Sequence, residues 1–202
     1  MQIEKHGARR RREIILAATD LSTAEGLQRL SFSRIAEEVG LSKAGVAAHF
    51  ESKEALQLAV VESAAADYAV PLVAAAKGTE PGLPRLQALA FAWLDHLNGI
   101  GYRGGCFFGS AGLDFSSRPG RVRDAIAEYT LGFLQILEEQ SRLASRLGEL
   151  KAGVSPEVLA FQIHALAQEA NLRHELFGSD QAFELAHRAL EDLMGRVSLD
   201  ET

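Results

Sequence analysis

Cationic donors gather in two places near the start of this chain. One is the run Arg9, Arg10, Arg11 and Arg12; the other is a segment in which Ser42, Lys43 and His49 surround the small residues Ala44, Gly45, Ala47 and Ala48. Donors of this kind serve polyanions, since arginine and lysine bind phosphate oxygens and a lysine at a base edge donates to guanine O6 and N7. The residue types that would do catalysis are present but poorly placed for it. Residues 99–104 read GIGYRG, a literal G-x-G-x-x-G. Dinucleotide binding needs a strand before that motif, a helix after it and an acidic residue about twenty positions on. Here a helical pattern precedes it, and Asp124, at roughly that distance, falls in a helix. Cys106 is the single cysteine and has no recognisable His partner, so it reads as inert core, with redox sensing as its chemical alternative. His164, Glu169, His174 and Glu175 invite a metal reading, but His164 and His174 would lie about 15 Å apart along a straight helix, too far to share one ion. Neither HExxH nor CxxC occurs, and no pair of carboxylates stands out as an acid–base couple. The expectation is a protein that is not an enzyme, with no metal and no cofactor.

Charge sharpens the polyanion reading. The 202 residues carry a formal net charge of -6, with 47% hydrophobic and 24% charged residues and a mean hydropathy of -0.01. Residues 1–57 hold nine Lys/Arg against eight Asp/Glu, whereas the remaining 145 hold twelve against nineteen. A basic end on an acidic body suits a polyanion held locally and argues against nucleic acid wrapping the whole molecule. The length is enough to bury roughly 70% of the surface of the unfolded chain without a disulfide staple. One cysteine fits a reducing compartment. The basic start lacks the long apolar region of a secretory signal, and no apolar run approaches the ~20 residues of a membrane span. These features lead us to expect a cytoplasmic protein with no membrane partner.

The elements that must position these residues are helical nearly throughout. Ile14, Ala18, Leu21 and Ala24 recur at helical spacing from Arg9 to Glu25, and Gly26 can end that helix. Ser33 is placed to cap a short helix over Arg34–Val39, with Gly40 at its left-handed end; Ser42 can cap another to about His49, and Ser52 a longer one toward Tyr68 or beyond. The stretch Lys77–Pro84 (KGTEPGLP) is a turn and the best boundary by composition. Leu86, Leu89, Ala90, Trp93 and Leu97 mark an amphipathic helix. Six glycines in residues 99–112 weaken helix propensity there. Pro119 and Pro156 each open a long helix, the second running to about Phe177, and Ser179 or Asp180 can cap a last one to about Val197. No stretch shows convincing strand alternation. The fold class expected is all-α, with eight or nine helices.

Within residues 33–50, SRIAEEVGLSKAGVAAHF, two short helices meet at a tight turn carrying Gly40 and Leu41. Ile35, Ala36, Val39, Leu41, Val46 and Phe50 can form a small core against Ile14, Ala18 and Leu21, which leaves Lys43, Ala44, Ala47, Ala48 and His49 for an outer face. Helix-turn-helix geometry places such a second helix in the major groove, about 12 Å wide. An αα-corner inside an ordinary helical protein has the same pattern. The segment from Arg10 to Val60 goes further: Phe32-Ser33-Arg34-Ile35-Ala36, then Val39-Gly40-Leu41-Ser42-Lys43, then His49-Phe50-x-x-Lys53-x-x-Leu56 occur in order and in register. It resembles the N-terminal DNA-binding domain of the TetR family of transcriptional regulators. The resemblance implies a three-helix DNA-binding domain over residues 1–57 and a larger helical effector-binding and dimerisation domain over 58–202. It assigns phosphate contact to His49, and it departs from the family where Thr or Ser, an apolar residue and Tyr usually stand, since this chain has Gly45, Val46 and Ala47. Ala48 is small as well. Alanine can still meet a thymine methyl, Lys43 can donate to guanine, and Lys53 can add charge beside free backbone N–H groups. The Arg9–Arg12 run is expected to supply phosphate affinity by reaching the minor groove. Ser33 and Ser42 complete the expected DNA-binding set.

A reader of this kind covers few base pairs and usually pairs with a second copy to bind two half-sites. In the penultimate helix Val158, Phe161, Ala165 and Leu172 lie close to one face, and Phe183, Ala186, Leu190 and Met194 do the same in the last. The expected dimer is a two-fold four-helix bundle, as in TetR-like proteins. Gly104-Gly105-Cys106-Phe107-Phe108, Asp114-Phe115 and Arg118-Pro119-Gly120-x-Val122-Arg123 form a second resemblance, to the ligand-sensing domain of regulators grouped with multidrug- and flavonoid-responsive repressors. It implies a mostly apolar cavity for an apolar or aromatic effector. The candidates are Trp93, Leu97, Phe107, Phe108, Phe133, Phe161, His164, Gln168, Asn171 and His174; for each aromatic, plain core packing is the competing reading. The function expected is a homodimeric repressor released from a palindromic DNA operator by a small molecule. The alternative is a helical adaptor whose N-terminal domain packs protein instead of DNA.

Overall fold

The computed structural model describes residues 2–179 and 181–199, with side chains from Gly7 onward. In chain order the helices are α1 (Gln2–Glu25), α2 (Phe32–Val39), α3 (Lys43–Ala47), α4 (Lys53–Lys77), α5 (Leu83–Gly99), α6 (Phe107–Phe115), α7 (Arg121–Arg146), α8 (Pro156–Phe177) and α9 (Gln181–Val197), with a 3-10 turn over Leu27–Arg29. Among the described residues the only β pairing is an isolated antiparallel bridge between Leu150 and Ser198. The architecture is all-α, as the periodicity predicts. It divides into two compact units: residues up to Asp67 with Gly101–Tyr129, and Tyr68–Ile100 with the residues from Thr130 on. The divisions fall inside α4 and α7 and at the end of α5, not in the Lys77–Pro84 turn.

In the first unit the apolar face of α1 organises everything else. Ile14, Ala18 and Leu21 are buried with Ile35 and Ala36 of α2, Val46 of α3 and Leu56 and Val60 of α4, while Val39 and Leu41 are only half-buried. Thr19 and Ser22 are buried on the same helix and donate to the carbonyls of Ile15 (2.9 Å) and Thr19 (2.7 Å), so neither hydroxyl is left unsatisfied. Gly26 ends α1 at φ 91°, and Gly40 ends α2 in the left-handed region at φ 66°. One cap differs from expectation. Ser31, not Ser33, receives the backbone N–H of Arg34 (3.1 Å), and α2 therefore begins at Phe32 with Ser33 exposed inside its first turn. Both serines lie before the same apolar run, and only the backbone path selects between them. Ser42 and Ser52 cap α3 and α4 as the pattern indicates, receiving Gly45 N–H and Ala55 N–H at 3.0 Å each.

The segment Gly101–Phe115 packs on α1 and on the 3-10 turn that follows it. Gly104 N–H donates to Thr23 Oγ1 (3.1 Å), and the Asp114 carboxylate accepts the N–H of Gln28 (2.7 Å). A Cβ on Gly104 would lie 2.2 Å from the Thr23 carbonyl oxygen, so only glycine fits. GIGYRG thus begins at the last residue of α5, with an irregular loop and then a helix after it, and among the described residues there is no sheet to hold a dinucleotide motif.

In the second unit α5, α8 and α9 pack on one another. Their buried faces are Leu86, Leu89, Trp93 and Leu97 of α5, Leu159, Ile163 and Ala167 of α8, and Phe183, Ala186, Leu190 and Met194 of α9. The first N–H groups of α5 find carboxylate and amide oxygens from elsewhere in the unit: Gly82 donates to Gln140 Oε1 (3.1 Å) and Leu83 to Glu149 Oε2 (2.7 Å). Ser155 caps α8 and Gly178 closes it; Asp180, the other cap proposed for α9, lies outside the described residues. Helix α4 continues through Pro71 and is long and apolar enough to cross a membrane by length and composition, with a window of mean hydropathy 1.5 that is 28% buried. This corrects the expectation that no apolar run approaches the length of a membrane span.

The Gly104 contact yields a contrast within fifteen residues. Gly104→Ala should cost about 1–3 kcal/mol or more, because a backbone carbonyl must move. Gly112→Ala, where nothing lies within 4 Å of the added Cβ, should be neutral or stabilising. Urea denaturation of the two variants checks this.

Candidate nucleic-acid interface

The outer side of α3 is built mainly of methyl groups and one ammonium. Lys43, Ala44 and Ala48 are exposed, Gly45, Ala47 and His49 are half-buried, and Val46 is the helix's buried anchor. Gly45 has a local reason: a Cβ there would lie 3.2 Å from the Ser42 Oγ that accepts its own N–H. A larger residue would crowd the cap that starts α3. Phe50 closes the segment from below, stacked on Phe32 with ring centroids 6.5 Å apart.

The arginine run lies on the first helix, which begins seven residues earlier than its spacing predicts. Gln2 to Glu25 is one helix, so Arg9–Arg12 project from a rod and not from an extended arm. Arg9 and Arg10 both reach Glu13 (3.5 and 2.9 Å), and the Arg11 guanidinium lies 5.1 Å from the centroid of the Phe50 ring. Arg11 and Arg12 are exposed and border a hollow of about 290 Å³ with Ala8, Ile15, Ala59, Glu62 and Ser63. The Lys53 ammonium donates to the Gln28 carbonyl, which ties α4 to the 3-10 turn instead of leaving that charge to phosphate alone.

Five charged side chains form a ladder beside this surface. Arg103, from the loop before α6, places Nε 2.8 Å from Asp20 Oδ2 of α1 and donates its terminal nitrogen to Glu38 of α2. Glu38 also meets Arg34 (3.1 Å), and Arg34 grips Glu25 through Nε (2.9 and 3.2 Å) and a terminal nitrogen (2.7 Å). The Arg103 hydrogen bond holds the Glu38 carboxyl below the usual glutamate value, and the carboxylates in turn hold Arg34 and Arg103 above theirs. In the sequence, only the neighbouring glycines at 101, 104 and 105, which weaken helix propensity, set this arginine apart.

The known proteins that resemble this chain settle its family. Residues 14–60 match the model of bacterial regulatory proteins of the tetR family, and residues 82–190 match a tetracycline-repressor-like C-terminal domain. The chain belongs to the TetR family. It is a DNA-binding transcriptional regulator, and the proteins of that family are regulators and not enzymes. Solved structures agree in fold. A TetR transcriptional regulator from Chloroflexus aurantiacus J-10-fl superposes with TM-score 0.87 at 21% identity, over 96% of this chain and 99% of that one. A TetR-family regulator from Cytophaga hutchinsonii gives 0.80 at 19% identity over 97% and 98%, and one from Streptomyces coelicolor gives 0.75 at 24% over 96% and 97%. No curated protein matches the sequence.

The TetR-like C-terminal domain match, residues 82–190, spans all ten candidate ligand contacts, but the structure does not gather them as one set. Phe107 is fully buried and meets Phe108 edge-on (5.2 Å); both belong to the first unit, where Phe108 also approaches Tyr129 (6.2 Å). The other eight belong to the second unit. There Trp93 packs against Phe133 (4.6 Å) and lies nearly parallel to His164 (5.2 Å), and His174 meets Phe183 (5.4 Å). Leu97 is buried, and Gln168 and Asn171 are half-buried on α8. Phe161 is 71% exposed on α8 and leaves the pocket set. Burial holds the His164 imidazole below its ordinary 6.5.

The two helices read as a dimer surface also separate. Val158, Phe161, Ala165 and Leu172 of α8 are exposed, whereas Phe183, Ala186, Leu190 and Met194 of α9 are buried within the protomer. The apolar stripe of α9 is consumed by α5 and α8. Its remaining surface, Ala189, Asp192 and Arg196, forms with Phe161, Ala165 and Glu169 the borders of a groove of about 540 Å³. Among the described residues no group of three or more His, Cys, Asp or Glu side chains is placed to hold a metal ion.

Two outcomes test this account. Ser31→Ala should cost about 1 kcal/mol and Ser33→Ala less than about 0.5 kcal/mol in denaturant melts. His164 favours its neutral form when folded, so in acid the unfolded chain binds more protons. Its contribution is complete above 6.5 and is lost as pH falls through that value toward the lowered folded one. Stability should therefore decline as pH falls below about 7.5, and His164→Gln should flatten the decline.

Proposed function

We propose that this regulator is a homodimeric repressor that leaves a palindromic operator when a small apolar or aromatic molecule binds its larger domain. Residues 1–57 would serve as the DNA-binding domain and residues 58–202 as the effector-binding and dimerisation domain, working in the cytoplasm. One observation carries the dimer: Val158, Phe161 and Leu172 leave 54%, 71% and 56% of their surface exposed along one side of α8, with Ala165 between them and Leu176 beyond. Monomers rarely leave a contiguous apolar stripe of this kind uncovered, and its spacing of three and four suits a helix from a second copy. A reading helix of five residues reaches few base pairs, so two half-sites about 34–36 Å apart, or a multiple, supply the missing specificity.

The reading surface suits bases recognised by shape and methyl contact. Lys43 would donate to guanine, Ala44, Ala47 and Ala48 would meet thymine methyls, and Ser42, Gly45 and His49 would lie along the phosphates with Arg11, Arg12 and Lys53. Trp93, Phe133 and His164, with Leu97, Gln168, Asn171 and His174, support an effector that is flat or apolar with few polar groups. Repression then follows from linkage: effector and DNA favour different states of the dimer, and each weakens the other's binding by the same factor.

In vitro selection of random duplexes by the purified protein at about 150 mM salt should enrich a palindrome, with binding that falls steeply as salt rises. Phe161→Glu should convert the dimer to a monomer in sedimentation and weaken binding to the palindrome at least about tenfold while leaving the helical content intact. A wild-type monomer, or enrichment of single unpaired half-sites, would overturn the homodimeric reading.

A further inference from the structure

We propose that Arg103 is a positioning residue of the DNA-reading domain, locking α2 to α1 through Glu38 and Asp20 and so fixing how α3 is presented. The inference rests on α3 being the reading helix. Helix α2 has eight residues and α3 five, too short to hold their own geometry, so their pose is set by what they dock on. Ile35, Ala36 and Val46 supply the buried anchors, but apolar contacts are non-directional and do not by themselves fix rotation about the helix axis. The charged ladder does. Asp20, Arg103, Glu38, Arg34 and Glu25 alternate in sign and tie two points of α1 to two points of α2.

Arg103 is the member that no neighbour can replace. Its backbone N–H donates to Asp20 Oδ1 (2.9 Å) while its guanidinium takes Asp20 Oδ2 and Glu38, and a planar fork is what bridging two carboxylates requires. The next residue is Gly104, pressed against the Thr23 carbonyl and hydrogen-bonded to the Thr23 hydroxyl, so the base of the arginine is held rigidly. Arg103 is half-exposed, and its ties to Asp20 of α1 and Glu38 of α2 are the route by which it would act on DNA binding. Pairs this exposed contribute little to global stability. Their effect should therefore be read in DNA affinity and not in melting.

The experiment is a double-mutant cycle in the full chain on a duplex enriched by the wild-type protein. The variants are Arg103→Ala, the isosteric Glu38→Gln, the pair together, and Arg103→Lys, each titrated by fluorescence anisotropy over a range of salt. Each of the first two should weaken binding about five- to tenfold, and the pair should be no worse than the more damaging single change. Arg103→Lys should recover only part of the loss, and the salt slope should stay at the wild-type value. Losses that multiply in the pair, an Arg103→Ala chain that binds like wild type, or a salt slope reduced by about one unit would overturn the proposal; the last would make Arg103 a direct phosphate contact. Should Arg103→Ala melt early, Glu38→Gln still decides, since full affinity in that variant is equally fatal. A wild-type chain that enriches no duplex would overturn the operator reading along with this one.

Discussion

Gly104 approaches the backbone of α1 so closely that its missing side chain is what lets the loop reach the helix, and several ties of the first unit follow from that approach. With the loop in place, Arg103 can span Asp20 and Glu38, and α6 is carried to where Asp114 receives the N–H of Gln28. That carboxylate satisfies a donor in the 3-10 turn after α1, at the point where the chain begins its path toward α2. The DNA-reading domain is thus completed by residues more than eighty positions downstream. Compactness and sequence role divide the molecule differently for this reason: a segment that follows α5 and leads into α7 in the chain belongs, by packing, with the reading helices.

The charges near the start of the chain do less for nucleic acid than their number suggests. Arg9 and Arg10 share Glu13, Arg11 lies over Phe50, Lys53 reaches Gln28, and Arg34 is spent on Glu25 and Glu38. With eight Asp/Glu against nine Lys/Arg in residues 1–57, acids enough to pair most of these cations lie within the same segment. What remains exposed on the reading helix is compact: one lysine among alanines, with serine and glycine committed to the cap. Shape and methyl contact gain weight wherever hydrogen-bonding side chains are few.

In the second unit, helices with similar apolar content meet different ends. The stripe of α9 is buried because two neighbours, α5 and α8, compete for it, and the same packing leaves a face of α8 uncovered. Trp93 is buried by that packing too, with His164 stacked on one side and Phe133 tilted against it. The neutral state of His164 is a consequence of that burial, since among the physical causes that shift an imidazole only desolvation acts strongly here.

The sequence by itself determined the helical class, several of the helix boundaries and the family. Those features are local: the period of apolar residues, the serines and glycines that start and stop helices, and a motif read within fifty residues. The α8 span from Pro156 to Phe177 and the caps at Ser42 and Ser52 were legible for that reason. Tertiary structure decided whatever depended on competition between distant residues. Ser31 displaced Ser33 as a cap because the backbone entering α2 turns one way, and Phe161 faced outward while Phe183 turned inward because only one of them had neighbours to cover it. Arg103 met Glu38 across 65 positions, a separation at which composition and periodicity carry no information, because a pairing so distant is fixed only when the intervening helices have packed.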